Sequence, residues 1–185
     1  MGIALIVIVV IVVVGLIWGF ATFNGLVKLR NRAEEGFSDI DVQLKRRHDL
    51  IPNLVETVKA YAAHERAVFD DVTEARARTL AAGSVGDAVA AEQQMRGALG
   101  RLFAVAEAYP QLRASENFQQ LQEELSDTED KIAAARRYYN NVVRRFNTAQ
   151  QTLPTSLLAG PLGFRPREFF ELEDEGDRAP ARVEL

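Results

Sequence analysis

Between Ile3 and Phe23 the chain reads IALIVIVVIVVVGLIWGFATF, about 21 residues without a charge. At about 1.5 Å of rise per residue this makes about 30 Å of helix, the thickness of a bilayer's hydrocarbon core. The Ile and Val that fill its first half lower helix propensity in water, but in lipid a single span can satisfy its backbone only as a helix. A cleaved signal peptide would need a basic start, an apolar core of about 7–15 residues and a small-residue cleavage site. Here only Met1 and Gly2 precede the run, the run is longer, and Ala21-Thr22-Phe23-Asn24 makes a poor cleavage site. Residues 1–24 are therefore expected to be a transmembrane anchor in contact with membrane lipid. Trp18, Phe20 and Phe23 fit an interfacial aromatic belt at its end. Gly15 and Gly19 have the GxxxG spacing that lets two membrane helices approach, although glycine is common in such helices anyway.

Lys28, Arg30 and Arg32 follow the span, with Lys45, Arg46 and Arg47 further on. The positive-inside rule then puts the N-terminus outside and the following domain in the cytoplasm. The competing reading makes these cations the polar face of the next helix, since Glu34, Glu35, Asp39 and Asp41 are interleaved. A formal net charge of −4 argues against nucleic acid as the main partner. With no cysteine, disulfides and thiolate chemistry are excluded.

Beyond the anchor, apolar residues recur at helical spacing. Leu26, Ala33, Phe37, Ile40 and Leu44 make a first stripe; Ile51, Leu54, Val58, Phe69 and Val72 lie on a second. Pro52 disfavours helix across the junction, while the heptad phase Leu44, Ile51, Val58 runs on through it. A break near Arg47–Ile51 gives helices of about 23, 31, 24 and 37 residues, lengths that suit neighbours in a bundle. That break is the expectation. Gly83 marks a helix stop with Asp87 as the next N-cap, and Ser115 is expected to cap the last helix before Pro154 ends it. Ala88, Ala91, Met95, Ala98 and Leu102 line the third stripe; Phe118, Leu125, Ile132, Tyr139, Val142 and Phe146 line the fourth.

The expected fold is all-α: an N-terminal single transmembrane helix, then an antiparallel up-and-down four-helix bundle over residues 25–153. Such a bundle returns the C-terminal segment, 154–185, to the membrane side. That segment is unusually apolar, with Leu157, Leu158, Leu162, Phe164, Phe169 and Phe170 among Pro, Gly and charges. Three readings stand open for it: packing on the bundle, lying at the lipid interface, or docking a partner or second subunit. From Glu173 the acidic run reads as disordered.

Three blocks, RRHDLIPNLVETVKAYAAHE, LRASENFQQLQEELSDTEDKIAAARRYYNNVVRRFNT and LLAGPLGFRPREFFELEDE, follow in that order. Together they resemble the signature of the LemA protein family, over Leu26 to Glu175. The resemblance implies a membrane-anchored four-helix bundle with a short N-terminus outside the cell. The family's molecular function is unsettled. Its members are often encoded beside a membrane metalloprotease, relatives occur in magnetosome biogenesis, and it supplies no catalytic residues to carry over.

The chemistry-bearing residues are few. His48 and His64 are the two histidines, and no second histidine follows His64-Glu65 at zinc-protease spacing. His48, like Asp49 beside Arg46 and Arg47, reads as part of a polar turn. No Walker loop, nucleophile elbow or ExxH pair occurs, so no catalytic, cofactor-binding or metal site is expected and an enzyme is disfavoured. Asn140 and Asn147 are read as satisfying buried polar partners, whereas Tyr138 and Asn141 could form a recognition surface. The candidate interaction residues are thus Gly15, Gly19, Tyr138, Asn141, Phe164, Phe169 and Phe170. The leading function is a self-associating, homo-oligomeric membrane scaffold. The alternatives are an adaptor or regulator of another membrane protein, such as a metalloprotease, and a ligand sensor within the bundle.

Overall fold

Helix is the only regular structure in the computed structural model, which describes residues 2–172. The elements are α1 (Gly2–Lys59), α2 (Arg66–Ala81), α3 (Val85–Glu107), α4 (Pro110–Arg113), α5 (Glu116–Gln151) and α6 (Ser156–Ala159). The acidic run from Glu173, expected to be disordered, lies outside the described residues.

The expected break near Arg47–Ile51 is absent: α1 runs unbroken for 58 residues with Pro52 inside it. The physical reason is a substitute donor. Proline lacks the N–H that would bond the carbonyl four residues back, which belongs to His48. The Nε–H of Arg76, on α2, donates to that carbonyl at 3.3 Å instead. The chain turns later, over Ala60–Glu65, where neither Gly nor Pro marks it. This turn lets Phe69, Val72 and Ala75 of α2 bury in one cluster with Ile51, Leu54 and Val58 of α1. Tertiary burial outweighs the helix preference of the turn's own residues.

Other boundaries follow local chemistry. Gly83 does follow the end of α2, but the N-cap of α3 is Ser84 rather than Asp87. The Ser84 hydroxyl accepts from the Asp87 N–H at 3.1 Å and donates to the Asp87 carboxylate at 2.7 Å. Ser115 caps α5 as expected, its hydroxyl accepting from the Phe118 N–H at 3.2 Å. Each cap of this kind stabilises a helix start by about 1 kcal/mol.

The chain divides into two compact units: one is the chain up to Asp39 with Ala135–Phe169, the other Ile40–Ala134 with the chain from Phe170. In the first, α1 and α5 lie antiparallel, Phe37 against Tyr139 and Leu26 clustered with Phe146. Gly36 permits their closeness, because a Cβ there would sit 3.1 Å from the Tyr138 ring and 3.4 Å from the Tyr139 backbone. In the second unit, the rest of α1, α2, α3, α4 and the start of α5 bury a shared core. Met95, Leu99, Leu102, Leu112, Phe118 and Leu125 are among its members.

Candidate functional site

The apolar run of α1 is long enough to cross a membrane, and its most apolar window is wholly unburied. Gly15 and Gly19 lie on one side of it, four residues apart, with nothing within 4 Å of the Cβ position of either. The first unit thus presents a bare helix with a glycine-lined face, followed by a packed region.

That packed region is closed by the C-terminal segment. Gly163 holds φ +79°, a left-handed conformation that costs a residue with a Cβ about 1–2 kcal/mol. The turn it makes sends Phe164 inward against Leu26, Phe146 and Ala159. The Phe164 ring meets Phe23 edge-on at 5.8 Å and Phe146 at 6.2 Å, with the Arg30 guanidinium 6.0 Å from its centre. Further along, the Asn147 amide clamps the Arg167 backbone from both sides. Its Nδ2 donates to the Arg167 carbonyl and its Oδ1 accepts the Arg167 N–H, both at 2.9 Å. Tyr139 donates to the Glu168 carbonyl at 2.8 Å, and burial pushes its phenol pKa up, which keeps it a neutral donor.

Of the three readings of the C-terminal segment, packing back onto the helices is therefore what residues 164–168 do. Phe164 and Phe170 are buried rather than displayed, since each fills space that a phenylalanine stabilises by removal from water; Phe169 is half-buried. Asn147 binds a polar partner as read, but the partner is the segment's backbone. Tyr138 remains 47% exposed and Asn141 is exposed, so these two do share an accessible surface.

The second unit holds a feature that sequence reasoning missed. Arg47 and Glu92 are each 1% exposed. The Arg47 guanidinium donates to Glu92 through both terminal nitrogens, once at 2.8 Å, and to Glu129 at 2.9 Å. Burial alone would lower the Arg47 pKa; hydrogen bonds and charge from Glu92, then Glu129, raise it above its ordinary value. The expected charged turn here is instead a buried ion cluster tying α1, α3 and α5. Its signal was in the heptad: Leu26, Ala33, Ile40, Arg47 and Leu54 recur every seven residues, placing Arg47 on the core stripe.

His48 is likewise no turn residue. It is buried in mid-helix, its Nδ1 has no hydrogen-bond partner, and its pKa is lowered by burial and then by the Arg76 charge. His64 is exposed in the turn after α1. Among the described residues no three His, Asp or Glu side chains group as a metal site. The clefts of this unit open to solvent; one of about 490 Å³ is lined by Thr57, Ala60, Tyr61, Ser115, Glu116 and Asn117.

Residues 36–185 match the LemA family. The chain is similar to magnetosome protein MamQ of Magnetospirillum gryphiswaldense, 27% identical over 181 residues, covering 84% of this chain and 66% of the relative. Magnetosome protein MamQ 2 of Paramagnetospirillum magneticum is 28% identical over the same shares. Protein LemA of Metamycoplasma hominis is 29% identical over 144 residues, covering 75% of this chain and 64% of the relative. The chain thus spans just under two thirds of the length of these relatives.

Proposed function

Because the chain belongs to the LemA family, whose molecular function the resemblance leaves open, we propose that it is a non-catalytic membrane scaffold that self-associates through its anchor. One observation carries this reading: the apolar run of α1 is unburied, its two-glycine face is bare, and it continues without interruption into the packed helix. A bare Gly15/Gly19 face supports close approach of a second copy, since small residues let backbones meet in lipid where apolar burial gives no drive. Lys28, Arg30 and Arg32 support an orientation with the packed region in the cytoplasm.

The test uses the absence of native cysteine. Single cysteines at Gly15, Ile17 and Gly19 are introduced one at a time and oxidised in membranes. Disulfide-linked dimers are expected several-fold faster at Gly15 and Gly19 than at Ile17 on the opposite side. Equal or negligible cross-linking at all three overturns the reading.

A second reading, an adaptor for another membrane protein such as a metalloprotease, is favoured by the exposed Tyr138 beside Asn141. Aromatic side chains of this kind anchor partner surfaces. A ligand sensor draws less support, since the clefts described are open grooves rather than enclosed apolar cavities.

A further inference from the structure

From Gln151 to Phe164 the chain carries no charged residue, and Arg144, Arg145 and Arg165 bracket it. The same change from uncharged to cationic occurs along α1 between Phe23 and Lys28. The structure brings the two changes together. Phe164, at the end of the uncharged loop, packs on Phe23, at the end of the apolar run, and lies beside Arg30.

The loop itself begins at that level. Leu26 and Phe146 share one cluster on antiparallel helices. The twelve residues of α5 after Tyr139, to Gln151, run about 18 Å toward the anchor at about 1.5 Å each. From the direct approach of Gly36 to the Tyr139 backbone, Gln151 comes level with about Asn24, so the loop starts at the end of the apolar run. Ala159 is buried in the Leu26 and Phe146 cluster, but three leucines of the loop are left largely exposed: Leu153 is 76% exposed, Leu157 67% and Leu162 44%. Pro154, Gly160 and Pro161 add exposed uncharged surface between them.

We propose that the loop of residues 153–162 is a second membrane-contacting element, which seats Leu153, Leu157 and Leu162 at the headgroup–acyl boundary of the bilayer that α1 crosses. The inference rests on the anchor reading above. An apolar patch rimmed by arginine suits that boundary, where side chains enter about 5–10 Å and guanidinium groups stay with the phosphates. Arg30, Arg144, Arg145 and Arg165 supply the rim. The contact would fix the tilt and rotation of α1, which a lone helix leaves free. A protein partner is the less favoured occupant, because lipid already surrounds the neighbouring turn of α1 on this reading.

The experiment labels single cysteines with an environment-sensitive fluorophore in the full-length protein. The positions are Leu157, Leu162, Phe20 in the anchor and Ser126 on the exposed face of α5. The protein is reconstituted in vesicles of phosphatidylcholine and phosphatidylglycerol. Quenching is compared for lipids bearing a nitroxide high on the acyl chain or near its end. Labels at Leu157 and Leu162 are expected to be quenched several-fold more than at Ser126, and more by the shallow nitroxide than the deep one. If they behave like Ser126 while Phe20 is quenched, the anchor stands and the loop proposal is overturned. If Phe20 is not quenched either, the anchor reading fails and the loop proposal falls with it.

Discussion

The two units of this molecule are held in different ways. The first closes on aromatic and backbone contacts: Phe164 among Phe23, Leu26 and Phe146, and a backbone strip pinned by Asn147 and Tyr139. The second also buries aliphatic and aromatic side chains, but inserts a guanidinium and a carboxylate into the middle of its stripes. Apolar contact and backbone clamping tolerate changes of protonation; a buried ion cluster and a buried imidazole whose Nδ1 has no partner do not. The first unit adds a solvent-exposed Glu34–Arg167 pair, which contributes little, so acid should act mainly on the second.

The largest effects should come from breaking the ion cluster. Arg47→Ala leaves the buried Glu92 with only the long contact to Arg96 at 3.7 Å, and should cost the second unit about 3–5 kcal/mol. The double change Arg47→Met with Glu92→Leu should recover most of that loss, measured by denaturant unfolding. A double variant as unstable as Arg47→Ala would mean that shape rather than charge is the issue. In the first unit, Phe164→Ala removes the plug of the C-terminal segment and should cost about 3 kcal/mol. Hydrogen exchange should then rise at Arg167 while Met95 and Leu102 keep their protection; a uniform rise would erase the distinction between the units.

A smaller effect belongs to the substitute donor. Arg76→Gln should destabilise by about 1–2 kcal/mol, because the His48 carbonyl loses its charged donor. Pro52→Ala restores the helical N–H, so in that background Arg76→Gln should cost much less. Strict additivity of the two would show that Arg76 does not compensate for Pro52.

The smallest is a pH effect. A histidine whose folded pKa lies below its ordinary 6.5 binds fewer protons folded than unfolded. The stability it contributes is complete above that value and lost as pH falls through the lower, folded one. Stability of the second unit should therefore decline below about pH 6.5, and His48→Gln should flatten that slope. An unchanged slope would place the acid response elsewhere.

Much of this was legible beforehand, because stripes at threes and fours report burial directly. The positions of Leu26, Ile40, Leu102, Phe118, Tyr139 and Phe146 followed from spacing, as did the Ser115 cap and the long apolar helix at the N-terminal end. What failed did so for non-local reasons. Pro52 signals a break only if no other group can serve the His48 carbonyl, and Arg76 lies 28 residues away. The turn at Ala60–Glu65 has no local marker, and α2 reverses there to bury its own stripe. Arg47 sat on the heptad but was read by its charge. Treating its position as stronger evidence than its type would have pointed to a buried acid on a neighbouring helix. The Tyr138 and Asn141 surface remained exposed, whereas Phe164 and Phe170 were taken inward by contacts that the loop's glycine turn makes available.

The most direct test of the scaffold reading is the mass of the full-length protein in lipid nanodiscs, measured with and without Gly15→Leu and Gly19→Leu. The account predicts a defined oligomer that the paired leucine substitutions reduce to monomer while helicity is kept. A native protein that is monomeric at every protein-to-lipid ratio would contradict it and move the search to partners that read Tyr138 and Asn141.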